Sequence, residues 1–168
     1  MTSTELLADA FERIRDAVHP AVNGLTTEEL AHRPGGDSNS IAWLVWHLTR
    51  IQDDHVAGVG DGRQVWVADG WAERFALPLD PTDTGYGHDV DTVGLVVVEA
   101  PLLLGYFEDV HTRTQAYVGS LSDDDLDRVV DSGWDPPVTL QVRLVSVIAD
   151  DLQHVGQAAY VRGILPTG

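Results

Sequence analysis

The segment "VIADDLQHVGQAAYVRG", residues 147–163, places two aspartates, two glutamines and a histidine inside a largely apolar stretch. The apolar spacing predicts a helix, on which Asp150 and His154, four residues apart, share one face at roughly 6 Å. A carboxylate among such neighbours is costly unless it is paired or coordinated. The two residues therefore form a plain hydrogen bond, belong to a solvated stripe, or make up part of a metal site.

A further ligand is available in "IAWLVWHLTRIQDDHVAGV", residues 41–59. The spacing of its apolar residues predicts a helix over about 40–58, with His47 on the apolar stripe. If this helix faces the one that carries Asp150 and His154, three ligands can meet at one ion. Three protein ligands leave coordination positions for water, as in catalytic rather than structural zinc sites.

Apolar residues at helical spacing predict two more long helices, so that four are expected in all. Their expected ranges are 4–23, 40–58, 90–119 and 138–162, with Pro101 kinking the third or delaying its start. Short acidic cap helices are expected over "LTTEELAHRP" (25–34) and "LSDDDLDRVVD" (121–131), which gives the two halves one plan. The chain is thus predicted to be one all-α domain, residues 1–168, folded as a four-helix bundle whose facing helices build a site.

The connection between the second and third helices, residues 61–89, is long and contains several glycines, prolines and aromatic residues. Connections of this length inside a domain are often functional, and the aromatic residues predict that this one packs against the bundle. If it folds over the metal, Tyr86 and His88 are candidates for substrate contact or proton transfer. A solvent-exposed position is the alternative for a lone loop histidine.

Three other residues are candidates for supporting the site or lining a pocket. Gln157, one turn beyond His154, either orients a ligand or water or forms a helix–helix hydrogen bond. His55, two turns beyond His47, either lines the mouth of the cavity or lies at the surface. Trp46, next to His47, either walls the pocket or packs in the core.

The charge balance narrows the classes of partner. Ten arginines, with no lysine, face 27 aspartates and glutamates, which gives a formal net charge of −17. Such a surface repels phosphate backbones and anionic lipids, so neither nucleic acid nor a membrane surface is an expected partner. The charge is otherwise explained by solubility.

The chain contains no cysteine, which excludes disulfides, thiolate zinc sites and a cysteine nucleophile. Any thiol chemistry therefore requires a thiol from outside the protein. The N-terminal stretch is amphipathic rather than signal-like, and no run approaches ~20 uncharged apolar residues, so a cytoplasmic location is expected. No phosphate-binding loop and no G-x-S-x-G motif is present in the sequence.

Three stretches resemble a known family, the DinB-like metal-binding superfamily. "SIAWLVWHLTRIQDD" resembles its second-helix signature, in which a histidine follows W-L-x-W, and "DDLQHVGQAAYVRG" is similar to its fourth-helix signature. The segment that begins "LTTEEL" and ends in "RP" also matches. The resemblance spans nearly the whole chain and implies an up-down-down-up bundle that binds a divalent metal.

Carried over to this sequence, the resemblance implies that His47 and His154 are metal ligands. Many members have histidine where this chain has Asp150, whereas the related mycothiol-dependent maleylpyruvate isomerases look closer and have an acid there. A carboxylate is a competent ligand for zinc, the expected metal, and for nickel, manganese or iron. The family includes bacillithiol- and mycothiol-dependent S-transferases and an isomerase.

Three functions remain open from the sequence. The first is a metal-dependent S-transferase or isomerase acting on an electrophilic substrate with a small-molecule thiol; the arginine-only composition is typical of actinobacteria and favours mycothiol. The second is metal-assisted hydrolysis. The third is a bundle that binds metal or a small ligand without catalysis, including a homodimer with a decayed site. The Leu- and Val-rich third helix offers a dimer surface, although core packing explains it equally well.

Overall fold

Eight helices and one small hairpin make up the computed structural model, which describes residues 1–166. The helices are α1 (Ser3–Val22), α2 (Thr27–Ala31), α3 (Ile41–Val59), α4 (Val65–Ala68), α5 (Trp71–Phe75), α6 (Val90–Val93), α7 (Ala100–Gly119) and α8 (Leu140–Gly163). The hairpin pairs strands β1 (Val129–Asp131) and β2 (Val138–Thr139), and short 3-10 turns cover Pro34–Gly36 and Asp123–Asp127.

The four long helices form the bundle, with α1 and α3 on opposite corners and α7 and α8 between them. Contacts between residues fix the direction of each neighbouring pair of helices. The antiparallel pairs are α1 with α7, through Arg15–Glu108 and Ala8–Gln115, and α3 with α8, through His55–Arg143 and His47–His154. The parallel pairs are α3 with α7, through Arg50–Tyr106 and Val59–Tyr117, and α1 with α8, whose ends meet at Asn23–Arg162. Consequently α1 and α8 run one way, and α3 and α7 run the other. The predicted all-α, up-down-down-up bundle is confirmed.

Side-chain caps explain where three of the helices begin. Thr2 accepts a hydrogen bond from the backbone N–H of Glu5, whose carboxylate accepts one from the N–H of Thr2. Thr26 starts α2 by the same reciprocal arrangement. Ser40 caps α3 by accepting from the N–H of Trp43. Each cap satisfies backbone donors that a helix leaves free in its first turn.

The third long helix begins at Ala100 rather than near residue 90, so of the two effects predicted for Pro101 the structure shows the delayed start. Residues 90–93 form the separate helix α6, and a non-helical stretch containing the buried Val96 and Val98 follows it. Pro101 lies in the first turn of α7, where its missing N–H costs no hydrogen bond. The second cap segment likewise ends at Asp127 and continues into β1 instead of remaining helical to residue 131.

The long connection over residues 61–89 is anchored to α3 and α7 by buried polar groups. Asp53 accepts hydrogen bonds from the backbone N–H groups of Val65 and Trp66, at 2.8 Å each, and from the Tyr106 hydroxyl at 2.9 Å. The α7 helix also comes close to the connection, since a Cβ at Gly105 would lie 2.6 Å from the Trp71 ring. Among residues 1–166, no helix combines the length and the apolar character needed to cross a bilayer.

Candidate metal centre

His47, Asp150 and His154 meet where the antiparallel helices α3 and α8 face each other. One ligand atom from each residue lies within 4.8 Å of the others, and no other such group of three is found within residues 1–166. The two imidazole rings have centroids 4.8 Å apart. Asp150 and His154 share a face because they are one helical turn apart. The three side chains are therefore close enough to bind one ion.

Hydrogen bonds leave the same ring nitrogen free on both histidines. Nδ1–H of His47 donates to the carbonyl oxygen of Thr84 at 2.6 Å, and Nδ1–H of His154 donates to Oε1 of Gln157 at 3.1 Å. A carbonyl oxygen only accepts, so each Nδ1 carries a proton, and in the neutral ring each Nε2 has a free lone pair. An outer partner of this kind fixes the tautomer and ring orientation that a metal ligand requires.

Asp150 contributes an oxygen that the described part of the chain leaves without a partner. Its Oδ1 lies 3.5 Å from Nε2 of His154, longer than an ordinary hydrogen bond. Its Oδ2 is inaccessible and has no hydrogen-bond partner among residues 1–166. An unsatisfied buried oxygen is costly, and a cation held with the two imidazoles would satisfy it. The residues present therefore fit a divalent metal ion.

The electrostatics of the site are consistent with this fit. Burial lowers the pKa of His47, with the nearby His154 acting in the same direction, so the ring is neutral at pH 7. The contact with Asp150 raises the pKa of His154 despite partial burial. Burial alone would raise the pKa of Asp150, but His154, His47 and His55 together lower it. A bound cation would take the place of the proton on His154.

The 83–88 turn of the long connection holds His47 in place. Gly85 has a φ of +88°, and a Cβ at this position would lie 2.7 Å from Nδ1 of His47. The turn is closed by Asp83, which accepts hydrogen bonds from the N–H of Gly85 at 2.9 Å and from Nε2–H of His88 at 2.8 Å. The Thr84 carbonyl thus reaches His47 through a turn that requires glycine.

The sequence profile of the DinB superfamily matches residues 10–158, which is most of the chain. The chain belongs to the DinB superfamily. A conserved protein from Enterococcus faecalis, known from its crystal structure, is similar: it is 32% identical, with a TM-score of 0.91 over 98% of each chain. The comparison with curated proteins found no match. DinB proteins are often metal-binding, in agreement with the three-residue group.

In this DinB bundle, Trp43 rather than Trp46 lies against the candidate ligands. The Trp43 ring stacks on His47 at a centroid distance of 4.6 Å and meets the His154 ring edge-on at 6.1 Å. Trp46 is buried and packs edge-on against Trp66 in the core. The wall of the site on α3 is therefore one turn nearer the start of the helix than the sequence suggested.

The two loop candidates of the DinB chain occupy very different positions. His88 is buried and uses both ring nitrogens, since Nδ1 accepts from Nε1–H of Trp43 at 3.1 Å and Nε2–H donates to Asp83. Tyr86 is 88% exposed and points away from the core. The structure therefore gives His88 a supporting position behind Trp43, and it does not bring Tyr86 to the three candidate ligands.

The remaining candidates divide between the site and its surroundings. Gln157 contacts His154 directly, as described above. His55 lies farther along α3, where its Nδ1 accepts from Arg143 at 3.1 Å, and Arg143 also binds Asp131. Burial, with the charge of Arg143, lowers the pKa of His55. His55 is therefore a neutral neighbour of the candidate ligands and lies outside their group of three.

Sequence reasoning missed two features of the DinB site, Trp43 and the Thr84 carbonyl. Trp43 had a signal, because it precedes His47 by four residues and so shares its helix face. A backbone carbonyl carries no side-chain signal. The glycines at 85 and 87 indicate a tight turn, but not which side chain the turn contacts.

Proposed function

We propose that this DinB protein is a divalent-metal enzyme that activates a small-molecule thiol for transfer to an electrophile or for isomerisation. The observation that carries the proposal is the group of three donors, His47, Asp150 and His154, with both Nε2 atoms free. Three protein ligands leave open positions at the ion, as catalytic sites do. A purely structural site is normally closed by four protein ligands.

A bound divalent ion would supply Lewis acidity, which lowers the pKa of a thiol or water in an open position. The protein residues prepare the place for it. Thr84 and Gln157 hold the two imidazoles in the required tautomer, and Trp43 excludes water from one side of His47. Asp150 contributes one negative charge, so the set leaves the centre with net positive charge and able to attract a thiolate.

The thiol must be a separate molecule, because the chain has no cysteine. We infer mycothiol as this thiol and zinc as the metal. Support for mycothiol comes from the acid at position 150, as in the similar mycothiol-dependent isomerases, and from the arginine-only composition. Support for zinc comes from the two imidazoles and one carboxylate, which are common zinc ligands.

Elemental analysis of the purified protein tests the metal. We expect close to one equivalent of zinc in the unaltered chain and little in the His47→Ala and His154→Ala variants. His32→Ala is the matched control, since His32 also follows an acid, Glu28, by four residues but lies outside the site. Metal content that neither site substitution changes would overturn the enzyme proposal.

Thiol consumption tests the reaction. The metal-loaded protein is incubated with mycothiol and a chlorinated bimane or a maleyl compound, and the loss of free thiol is compared with that of the metal-free protein. We expect faster loss only with metal present. Equal rates would exclude thiol transfer, and hydrolysis of an ester or amide probe by the same sample would then favour the hydrolase alternative.

A further inference from the structure

Gly156 lies in the interior of α8, where glycine destabilises a helix relative to alanine. A Cβ built at this position meets no atom of residues 1–166 within 4 Å. Gly105 in α7 has an internal reason, since its Cβ would strike Trp71 at 2.6 Å. No internal packing within the described chain explains Gly156. The space beside it is therefore open to something outside the chain.

That space is a groove of about 550 Å³ between the first part of α3 and the second half of α8. Gly156 and Gln157 line it, together with Leu44, which lies one turn before His47. Gln157 is also the residue whose Oε1 accepts from His154. The groove thus adjoins the candidate metal centre through a residue shared by both.

The lining of the groove carries no charge and mixes polar side chains with the apolar Pro34, Leu44 and Val161. Within residues 1–166 it contains no acidic or basic side chain. Its polar side chains supply amide groups, hydroxyl groups and one exposed aromatic ring: Ser38, Asn39, Gln153, Gln157 and Tyr160. Amides and hydroxyls both donate and accept hydrogen bonds, as sugar hydroxyls require. No arginine lines the groove to balance a phosphate or carboxylate, and the net charge of −17 repels anions.

One wall of the groove is held rigidly before any ligand binds. The guanidinium of Arg33 donates to the backbone oxygens of Asp37 and Ser38, at 3.0 and 2.6 Å, and the Ser38 hydroxyl donates to the oxygen of Pro34. Across the groove, Tyr160 is 69% exposed and offers a ring face against which a sugar ring can pack. Preorganisation of this kind reduces the cost of ordering side chains on binding.

We propose that this groove, the Gly156 groove, binds the uncharged, hydroxyl-rich part of the thiol co-substrate. The inference rests on the proposed function, because it assigns the place beside the metal centre where the body of the thiol lies. It predicts a preference for neutral sugar-bearing thiols over thiols that carry carboxylates or phosphates. Lining residues that belong to α8 then join thiol recognition to the ligand His154.

Binding to the metal-free protein tests the groove without any activity assay. Amide NMR spectra are recorded during titration with methyl β-D-glucoside, with 1-thio-β-D-glucose and with the anion 3-mercaptopropionate. We expect both sugars to shift the amide signals of Gln153, Gly156 and Gln157. The affinity for the anion should be lower by about tenfold or more. Equal binding of the anion, or shifts elsewhere, would overturn the proposal.

Two variants and one control locate the site. Gly156→Phe fills the groove and should weaken sugar binding by about tenfold or more, since an overfilled site must move its walls to admit a ligand. Tyr160→Ala removes an exposed ring and should weaken binding without a risk to folding. Gly58→Phe is the control, because Gly58 is an exposed helical glycine that also has open space and does not line the groove.

The outcomes separate this inference from the proposed function. If the protein binds the sugars but takes up no metal when metal is offered, the enzyme proposal falls and the groove remains as a sugar site. Bound metal without sugar binding would overturn the groove and leave the enzyme. Sedimentation gives a third outcome: a dimer that Gly156→Phe converts to monomer, while Gly58→Phe does not, would show that a second copy fills the groove, and would overturn the inference.

Discussion

Two aspartates on the inner faces of the bundle, the buried Asp53 and the partly buried Asp150, show how differently a carboxylate can be used there. Asp53 accepts two backbone N–H groups and the Tyr106 hydroxyl, and Arg50 lies 3.8 Å away. Asp150 has one long contact to His154 and an oxygen without a partner among residues 1–166. A carboxylate with complete partners holds the fold together, whereas one with a free, inaccessible oxygen is suited to a ligand from outside.

The largest effect is expected from Asp53→Ala. This change removes the acceptor for two backbone donors and leaves Arg50 buried without its acid, so the free energy of unfolding should fall by about 3–5 kcal/mol. Urea unfolding monitored by circular dichroism measures it, with the exposed Asp9→Ala as the control. A loss of stability no larger than that of Asp9→Ala would contradict the conclusion that Asp53 holds the fold together.

Asp150→Asn should have the opposite effect: it should weaken metal binding and leave the free energy of unfolding unchanged. The amide keeps the shape but not the charge, so zinc affinity should fall by about 100-fold or more, since the loss of an outer partner of a ligand alone can cost up to that factor. Without metal, the stability of the variant should match that of the unaltered chain. Competition with a chromogenic chelator measures the affinity. An unchanged dissociation constant would exclude Asp150 as a ligand.

Asp151 sharpens the comparison, because it is fully buried and neither of its oxygens has a partner among residues 1–166. Burial, with the charge of Asp150, raises its pKa well above the ordinary value. Asp151→Leu replaces an unsatisfied polar group by an apolar one and should raise the free energy of unfolding by about 1–3 kcal/mol. Destabilisation in urea unfolding would indicate an internal partner that the geometry does not show.

Gly85→Ala tests the supporting turn. The added methyl group would meet Nδ1 of His47 at 2.7 Å, in a left-handed conformation that costs a non-glycine residue about 1–2 kcal/mol. Displacement of the ring should weaken zinc binding by about tenfold or more. Gly87→Ala carries a similar backbone penalty, because its φ is also positive, but its methyl group would meet nothing within 4 Å. It therefore distinguishes the effect of backbone strain from the effect of the contact with His47. Equal zinc affinities for the two variants would contradict the role of Thr84.

The smallest effect is expected at the surface pair between α1 and α7. Glu108 binds Arg15 and His19; partial burial would raise the pKa of its carboxyl, but these partners lower it below 4.5. A lowered acid pKa stabilises the fold above 4.5 and loses that contribution as the pH falls through the shifted value. Glu108→Gln should therefore cost less than about 1 kcal/mol at neutral pH and progressively less below 4.5. A difference in urea unfolding that grows as the pH falls would contradict this sign.

Much of the bundle follows from apolar spacing, because the four long helices bury faces that recur at helical intervals. The start of α7 does not follow, since the valines before Pro101 fit a strand, a helix or the buried non-helical stretch that forms. His47, Asp150 and His154 could be proposed from their positions on apolar faces and from the resemblance. The tautomers could not, because they depend on Thr84, whose backbone oxygen reaches His47 only after the connection has folded.

The hydrogen bond between Thr84 and His47 makes one candidate metal ligand depend on a segment 37 residues farther along the chain. By reciprocity, an ion that binds only the oriented imidazole must in turn stabilise the docked turn against opening. Saturation with zinc should then slow amide hydrogen exchange at residues 83–88, far from α8 in sequence. In this way the loading state of the centre would be communicated to an exposed edge of the molecule.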